Sequence, residues 1–412
     1  MAEYDINTVN RMIMGNKYLI KNKFGKLIRT HRDVLGYVLS GKFAEAFNLL
    51  YAIYYVPGGE GTLQMLYRFG LDRVYTKFPA LAPIPRYFEI ETTTICNKKC
   101  VFCENVHWEK GSQVRRHLTF DEFKYTIDQF PNVRWVNMTG EGSAFLNKEY
   151  WQMLRYLNER YKAAVYLVDH LSDLSHEEID ELIHLVKGLY ISMDGATKAT
   201  YEKLKQGCSF DKVISNVRHI IKRKRDLRLR KPELHFRYVI VKDNVNEIPL
   251  FIDLINSLGS RKDFDLTTIN FTGLLYFDSI KHLYVSTLNE DLIAEIKKRM
   301  NKGVYFRFEH TIEQFNPPLE KCYYWMEPYV MMEGYVLPCC QVLMSNQRPN
   351  LRKNSFGNVF KDDFKKIWNS ERYKNFRKMI VDPKGKVPVF CAGCRQFQTK
   401  ERIGRYGIDQ NV

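Results

Sequence analysis

The sequence has no run of about 18 consecutive apolar residues, the length a helix needs to cross a bilayer. Its most apolar stretch, Ala44 to Val56, contains Glu45 and Asn48 and stops at Pro57-Gly58-Gly59. The start, Met1-Ala2-Glu3-Tyr4-Asp5, lacks the basic and apolar regions of a signal peptide, so a cytoplasmic location is expected. There is no internal repeat of fixed period and no low-complexity segment. Acidic residues are outnumbered, 47 against 63 basic ones, for a net charge of +16. Such a balance suits nucleic acid, an anionic membrane surface or an acidic substrate. Much of the excess lies between Arg218 and Lys231, which holds eight Lys or Arg and one Asp. No aromatic residue interleaves that run, so a nucleic-acid stacking platform is not expected. The run reads instead as a solvated helix face and the turn after it.

Cysteine is present, but not in the numbers of a disulfide framework. There are nine, an odd count, and the expected compartment is reducing. Eight fall into two groups. The first is Cys96, Cys100 and Cys103; the second is Cys322, Cys339, Cys340, Cys391 and Cys394. Clustered thiols of this kind point to soft metals, zinc or iron–sulfur. Cys208 stands apart and reads as a buried small hydrophobe.

With 412 residues, 45% of them apolar, the chain can bury a sizeable core across two or three domains. Prolines mark joints at Pro79 to Pro85 and at Pro317-Pro318. Residues 1–84 read as an N-terminal helical region expected to pack on the domain that follows. The rival is a membrane-surface contact through the apolar and aromatic Phe43 to Tyr55. Residues 85–316 alternate strand and helix. Strands are predicted at Tyr87 to Thr93, Val133 to Met138, Val165 to Val168, Leu189 to Met193, Leu234 to Val241 and Leu266 to Phe271. Thr119 opens one helix, Ser175 with Glu178 makes a capping box for another, and Asp211 is expected to cap a third. These repeats predict a parallel sheet with helices outside it and catalytic groups at the C-terminal ends of its strands. In residues 317–412, Met331 to Leu337 reads as a hairpin turning at Glu333-Gly334, and a helix is expected from Lys361 to Ile380.

The first cysteine group reads Cys96-Asn97-Lys98-Lys99-Cys100-Val101-Phe102-Cys103. A protein-held four-iron cluster takes four thiolates, so three on one loop leave one iron open to a chelating ligand. Structural zinc prefers four ligands in paired knuckles, and no fourth thiol or His pair follows at that spacing. The motif, its place after the first strand and the βα repeats resemble the radical S-adenosylmethionine (SAM) superfamily. That resemblance implies an α/β fold, a partial (βα)6 TIM-like barrel, and a [4Fe–4S] cluster that binds SAM. Met138-Thr139-Gly140-Glu141-Gly142 is similar to the family's Gly-Gly-Glu-Pro motif, which implies that Gly140 and Glu141 meet the amino group of SAM. Ile191-Ser192-Met193-Asp194-Gly195 is similar to the segment lining the SAM pocket, which assigns Ser192 and Asp194 to it. Two positions depart from the family pattern, Val168-Asp169-His170 and Lys205.

The second group resembles the superfamily's SPASM or twitch module, through Gly334 to Cys340, Phe356 to Val359, Ile367 to Ser370, Arg377 and the closing Cys391 and Cys394. The resemblance implies an auxiliary [4Fe–4S] cluster. Five cysteines exceed its need by one. Neighbours on a strand face opposite ways, so either Cys339 or Cys340 is a ligand and the other is not. The implied chemistry is reductive cleavage of SAM to a 5′-deoxyadenosyl radical, hydrogen abstraction from a substrate, and a two-electron oxidation that uses the auxiliary cluster. An electron donor such as flavodoxin or ferredoxin is implied as partner. Three functions compete: modification of a peptide, modification of a small polar substrate such as a sugar, and a non-catalytic metal-bound binding module. Intact Cys96, Cys100, Cys103 and Glu141 argue against the last. A spare thiol at Cys340 would instead suit an epimerase.

Overall fold

The computed structural model describes residues 3–5, 32, 34–43, 46, 78, 82, 84–108, 113–130, 133–260, 265–274, 278–299, 305–309, 327–345, 348–381, 384–392, 394, 404–405 and 407–411. Seven strands lie side by side in chain order and pair in parallel. They are Tyr87–Ile90 (β1), Trp135–Met138 (β2), Ala164–Asp169 (β3), Gly188–Ser192 (β4), Glu233–Ile240 (β5), Thr268–Gly273 (β6) and Tyr305–Glu309 (β7). The first six are the predicted strands with shifted ends. The seventh, Tyr-Phe-Arg-Phe-Glu, alternates apolar and polar residues from Phe306 to Glu309 and adds to the six strands expected from the sequence. The sheet does not end at β1. Tyr329–Val330 (β8) adds in parallel on its outer side, and Val336–Leu337 (β9) turns back antiparallel. The C-terminal cysteine region therefore continues the barrel's own sheet.

Strand residues alternate between two environments, as the two-residue period requires. Outward-facing Phe88, Val136, Val165, Leu189, Phe236 and Tyr238 are all at most 1% exposed. They pack beneath the helices, as in the stacking of Phe88 on Phe130 with ring centroids 4.2 Å apart. Truncating one such Phe to Ala would cost about 3–5 kcal/mol. Many inward-facing residues are aromatic or polar. Trp135 stacks on Tyr166 at 4.2 Å and Tyr190 on His235 at 4.6 Å, forming a floor. Glu89, Asn137 and Arg237 lie two residues beyond Tyr87, Trp135 and His235.

Helices return the chain between strands: Phe120–Asp128 (α1), Tyr150–Tyr156 (α2), His176–Leu185 (α3), Lys198–Leu204 (α4), Phe210–Asp226 (α5), Ile248–Leu258 (α6) and Glu290–Arg299 (α7). Thr119 caps α1 and Ser175 caps α3, each in a full capping box with the Glu three residues on. The cap of α5 is Ser209, whose side chain accepts from Lys212 N, and not Asp211. The predicted helix from Lys361 to Ile380 is two, Phe364–Trp368 and Glu371–Val381, separated at Asn369-Ser370. The hairpin forms as expected, with Gly334 at φ 85°, the left-handed region that glycine enters without strain.

Most of residues 1–84, including most of Phe43 to Tyr55, lies outside the described residues. Within the described part, Glu3–Asp5 is a strand paired antiparallel with Thr287–Asn289, not helix. Residues 34–39 are helical, and Lys187 Nζ, beside the start of β4, donates to Tyr37 Oη over 2.9 Å. No described helix is long and apolar enough to cross a membrane.

Candidate active site

The chain leaves β1 extended. Thr94 N donates to Arg116 O over 3.2 Å, and Ile95 N to Thr93 Oγ1 over 3.0 Å, pinning the approach to the cysteine loop. Lys99-Cys100 then pairs antiparallel with Lys205-Gln206 beyond α4. Cys103 N donates to Cys100 O over 3.1 Å, which closes the loop that holds Cys96, Cys100 and Cys103. Cys208, read as isolated, is buried as expected but hydrogen-bonds Cys100. That bond, together with the Lys205 ammonium and against the effect of burial, brings the Cys100 thiol down to about 6. Burial pushes Cys103 up to about 12 and also raises Cys96. The thiolate is the form that binds metal, so Cys100 is nearest to readiness. Among the described residues, no three His, Cys, Asp or Glu side chains converge on a single-ion site. A four-iron cluster makes a different demand, because each thiolate binds its own iron.

Past β2, Gly142 presses against this loop. A Cβ there would lie 2.5 Å from Ile95 O, so any side chain would displace the segment leading into Cys96. Asn105 Nδ2 holds the backbone with a 2.7 Å bond to Glu141 O. The Glu141 side chain is 6% exposed, and its Oε2 is buried without a hydrogen-bond partner. That oxygen lies 3.5 Å from Arg348 Nη2. Burial, and then the neighbouring Glu104, raise its carboxyl well above the usual carboxylate range. A buried carboxylate oxygen that accepts no hydrogen bond, beside the cysteine loop, fits an incoming ammonium group.

Asp194, after β4, has no exposed side-chain surface. One oxygen accepts from Val239 N over 2.7 Å and the other pairs with Lys205 Nζ at 3.2 Å. Lys205 Nζ also donates to Ser192 Oγ over 2.6 Å. Asp194 and Ser192 thus orient Lys205, one of the two positions that depart from the family pattern. Its interaction with Cys100 signals its position. His170, at the other departing position, is buried, with Ser143 Oγ 3.5 Å from its Nε2 and Ser172 Oγ 2.9 Å from its Nδ1.

In the C-terminal region the two adjacent cysteines diverge. The Cys340 thiol hydrogen-bonds the inward-facing Glu89 of β1, and burial raises both groups above their ordinary values. Cys339 lies toward Tyr373, whose ring packs on Phe356, which packs in turn on Phe390 beside Cys391. Cys339, Cys391 and Cys394 are all buried, a soft donor set in an apolar shell suited to an iron–sulfur group. Cys322 lies outside the described residues. Arg348, on the helix Arg348–Asn354, reaches back into the barrel. It forms two bonds to Glu91 and lies over the Trp108 ring, 4.7 Å from its centroid.

Comparison with known proteins agrees with this layout. The family model "Radical SAM superfamily" matches residues 90–255, and "SPASM: Iron-sulfur cluster-binding domain" matches 322–395. The tungsten-containing aldehyde ferredoxin oxidoreductase cofactor-modifying protein of Pyrococcus furiosus is 24% identical over 311 residues, 71% of this chain and 83% of that protein. The structure of Streptococcus suis SuiB bound to S-adenosylmethionine covers 91% of this chain and 87% of its own, with TM-score 0.56 and 14% identity. Native anSMEcpe with bound AdoMet covers 75% and 88%, with TM-score 0.50 and 15% identity. At these identities the solved structures show a shared fold.

Proposed function

The chain belongs to the radical SAM superfamily and carries a SPASM module, and from that premise we propose that it cleaves SAM to oxidise or otherwise modify a peptide or small polar substrate held in the barrel's lumen. The observation that carries the reading is the polar layer inside the barrel, where Glu89, Asn137 and Arg237 sit between the aromatic floor and the cysteine loop. An apolar substrate would leave those groups unpaired, at about 1–3 kcal/mol each. When bound, the cluster and SAM supply an electron and a 5′-deoxyadenosyl radical.

The chain's own residues bind and orient. Cys96, Cys100 and Cys103 would hold the first cluster. Glu141 Oε2 would accept from the SAM ammonium, while Gly140 and Gly142 keep that turn close to the cysteine loop. Lys205, held by Asp194 and Ser192, presents a cation suited to the SAM carboxylate. Cys339, Cys391 and Cys394, with Cys322, would hold the auxiliary cluster. The module's β8 extends the sheet beyond β1. A protein electron donor such as ferredoxin or flavodoxin would serve as reductant. The P. furiosus relative, named for modifying a cofactor, supports a modifying role.

A second reading rests on Cys340. Its thiol meets Glu89 inside the barrel, where it could return a hydrogen atom to a substrate radical and so epimerise it. Turnover of a candidate substrate in deuterium oxide separates the two. Loss of two mass units marks oxidation; unchanged connectivity with one solvent deuterium marks epimerisation. Substrates that remain unlabelled and unmodified while SAM is consumed would leave both readings without support.

A further inference from the structure

Arg237 lies on the inward face of β5, between Phe236 and Tyr238, whose side chains are buried on the outer face. Its register partners are Ser192 on β4 and Asn270 on β6, so it stands level with Ser192 and one layer below Asp194, the two residues that orient Lys205. The guanidinium lies over Tyr190, 4.8 Å from the ring centroid, and its Nε is buried without a hydrogen-bond partner. Among the described residues no carboxylate forms an ion pair with it. Glu89 senses its charge, but the Glu89 carboxylate already accepts from Tyr87 Oη at 3.0 Å, Asn137 Nδ2 at 3.3 Å and the Cys340 thiol. On the same inner surface, Asn137 Oδ1 is also buried without a partner.

A guanidinium stays protonated at every physiological pH, so it has no neutral form in which to wait. Arg237 is itself only half-buried, and the buried cations Lys205, Lys224 and Arg348 each have a fixed partner. Lys205 has Asp194, Lys224 has the carbonyl of Pro232, and Arg348 has Glu91. Arg237 departs from that pattern at the place where a substrate must sit to meet SAM. Its planar fork matches the two oxygens of a carboxylate or phosphate.

We propose that Arg237 anchors an oxyanion group, a carboxylate or a phosphate, on the substrate. The inference rests on the proposed function, because it places the substrate in the lumen beneath SAM. The unpartnered Asn137 carbonyl marks a second contact, for a hydroxyl or amine hydrogen of the same molecule. The substrate class is then a polar molecule or peptide with one anionic group, bound with that group pointing away from the cysteine loop.

The test is calorimetric titration of the cluster-loaded protein with SAM present, using inorganic phosphate and acetate as separate probes at constant ionic strength. One probe should bind with a stoichiometry near one. Arg237→Gln should weaken it at least tenfold, and Arg237→Lys, which keeps the charge but loses the fork, should fall between. Preference for phosphate or for acetate identifies the group. Absence of saturable binding of either probe to the wild type would overturn the proposal, as would equal binding by Arg237→Gln or Arg237→Lys. Formation of 5′-deoxyadenosine by the wild-type preparation is measured alongside. If SAM is cleaved but neither oxyanion binds, this inference fails alone; if SAM is not cleaved, the proposed function itself fails.

Discussion

Arg348 and Glu91 form a two-pronged ion pair with neither side chain more than 1% exposed, which ties the C-terminal module to the mouth of the barrel. Glu91 follows β1, accepts from Met332 N over 3.1 Å, and lies one turn of chain before the cysteine loop. Removing one partner of such a pair leaves the other charge buried and uncompensated, at about 3–5 kcal/mol. Arg348→Met should therefore destabilise the protein by about that much, and Glu91→Gln with Arg348→Met together by clearly less than the sum of the single losses. Urea denaturation of the cluster-free variants measures the coupling. Strictly additive losses would show that the pair contributes nothing as a pair.

Glu141→Gln should weaken SAM binding roughly ten- to hundredfold while iron content stays constant, because one charge-assisted bond is lost. Before SAM binds, burial holds this carboxyl above its ordinary range, so the proton must leave as the ammonium arrives. Wild-type affinity should consequently rise with pH until the carboxyl ionises, and the Gln variant should lack that rise. Equilibrium binding of SAM between acid and neutral pH gives both answers.

The Cys208–Cys100 bond should be visible in thiol chemistry. In cluster-free protein, Cys100 should be the fastest of the three loop cysteines to alkylate near neutral pH, since its thiol is held at about 6. Cys208→Ala should slow that reaction by removing the largest stabilising contact. Peptide mass spectrometry after brief iodoacetamide treatment resolves each site.

Lys224 gives a pH-dependent term in stability. Burial lowers its ammonium from 10.5 to about 8, and Nζ donates to Pro232 O over 2.6 Å. Between those pH values the unfolded chain holds a proton that the folded chain has released, so stability should rise with pH across that window. The penalty is fully present below about pH 8 and amounts to about 3 kcal/mol for the shift. Stability of the wild type relative to Lys224→Met, followed from pH 7 to 10, should climb by that order.

Much of this layout was legible in the sequence because it rests on local signals. Thr119 and Ser175 with their partner Glu residues fixed two helix starts, and the six-fold alternation of apolar runs fixed the parallel order of β1 to β6. The cysteine spacing found the candidate cluster loop. What escaped was long-range. Lys224 looked like part of a solvated basic run, yet α5 turns it into the protein. Arg348 carries no motif, and it meets Glu91 only because a two-residue strand, β8, docks on β1. Cys208 and Lys205 reach Cys100 through a two-residue ladder too short to leave a pattern. Asp211 and Ser209 are both good caps, and only backbone geometry decided between them.

The central claim is that Cys96, Cys100 and Cys103 support reductive cleavage of SAM. Anaerobically reconstituted protein, given dithionite and SAM, should form 5′-deoxyadenosine, and the variant with all three replaced by Ala should form none while losing about half of its iron, one of two four-iron clusters. Undiminished 5′-deoxyadenosine from that triple variant would contradict the account.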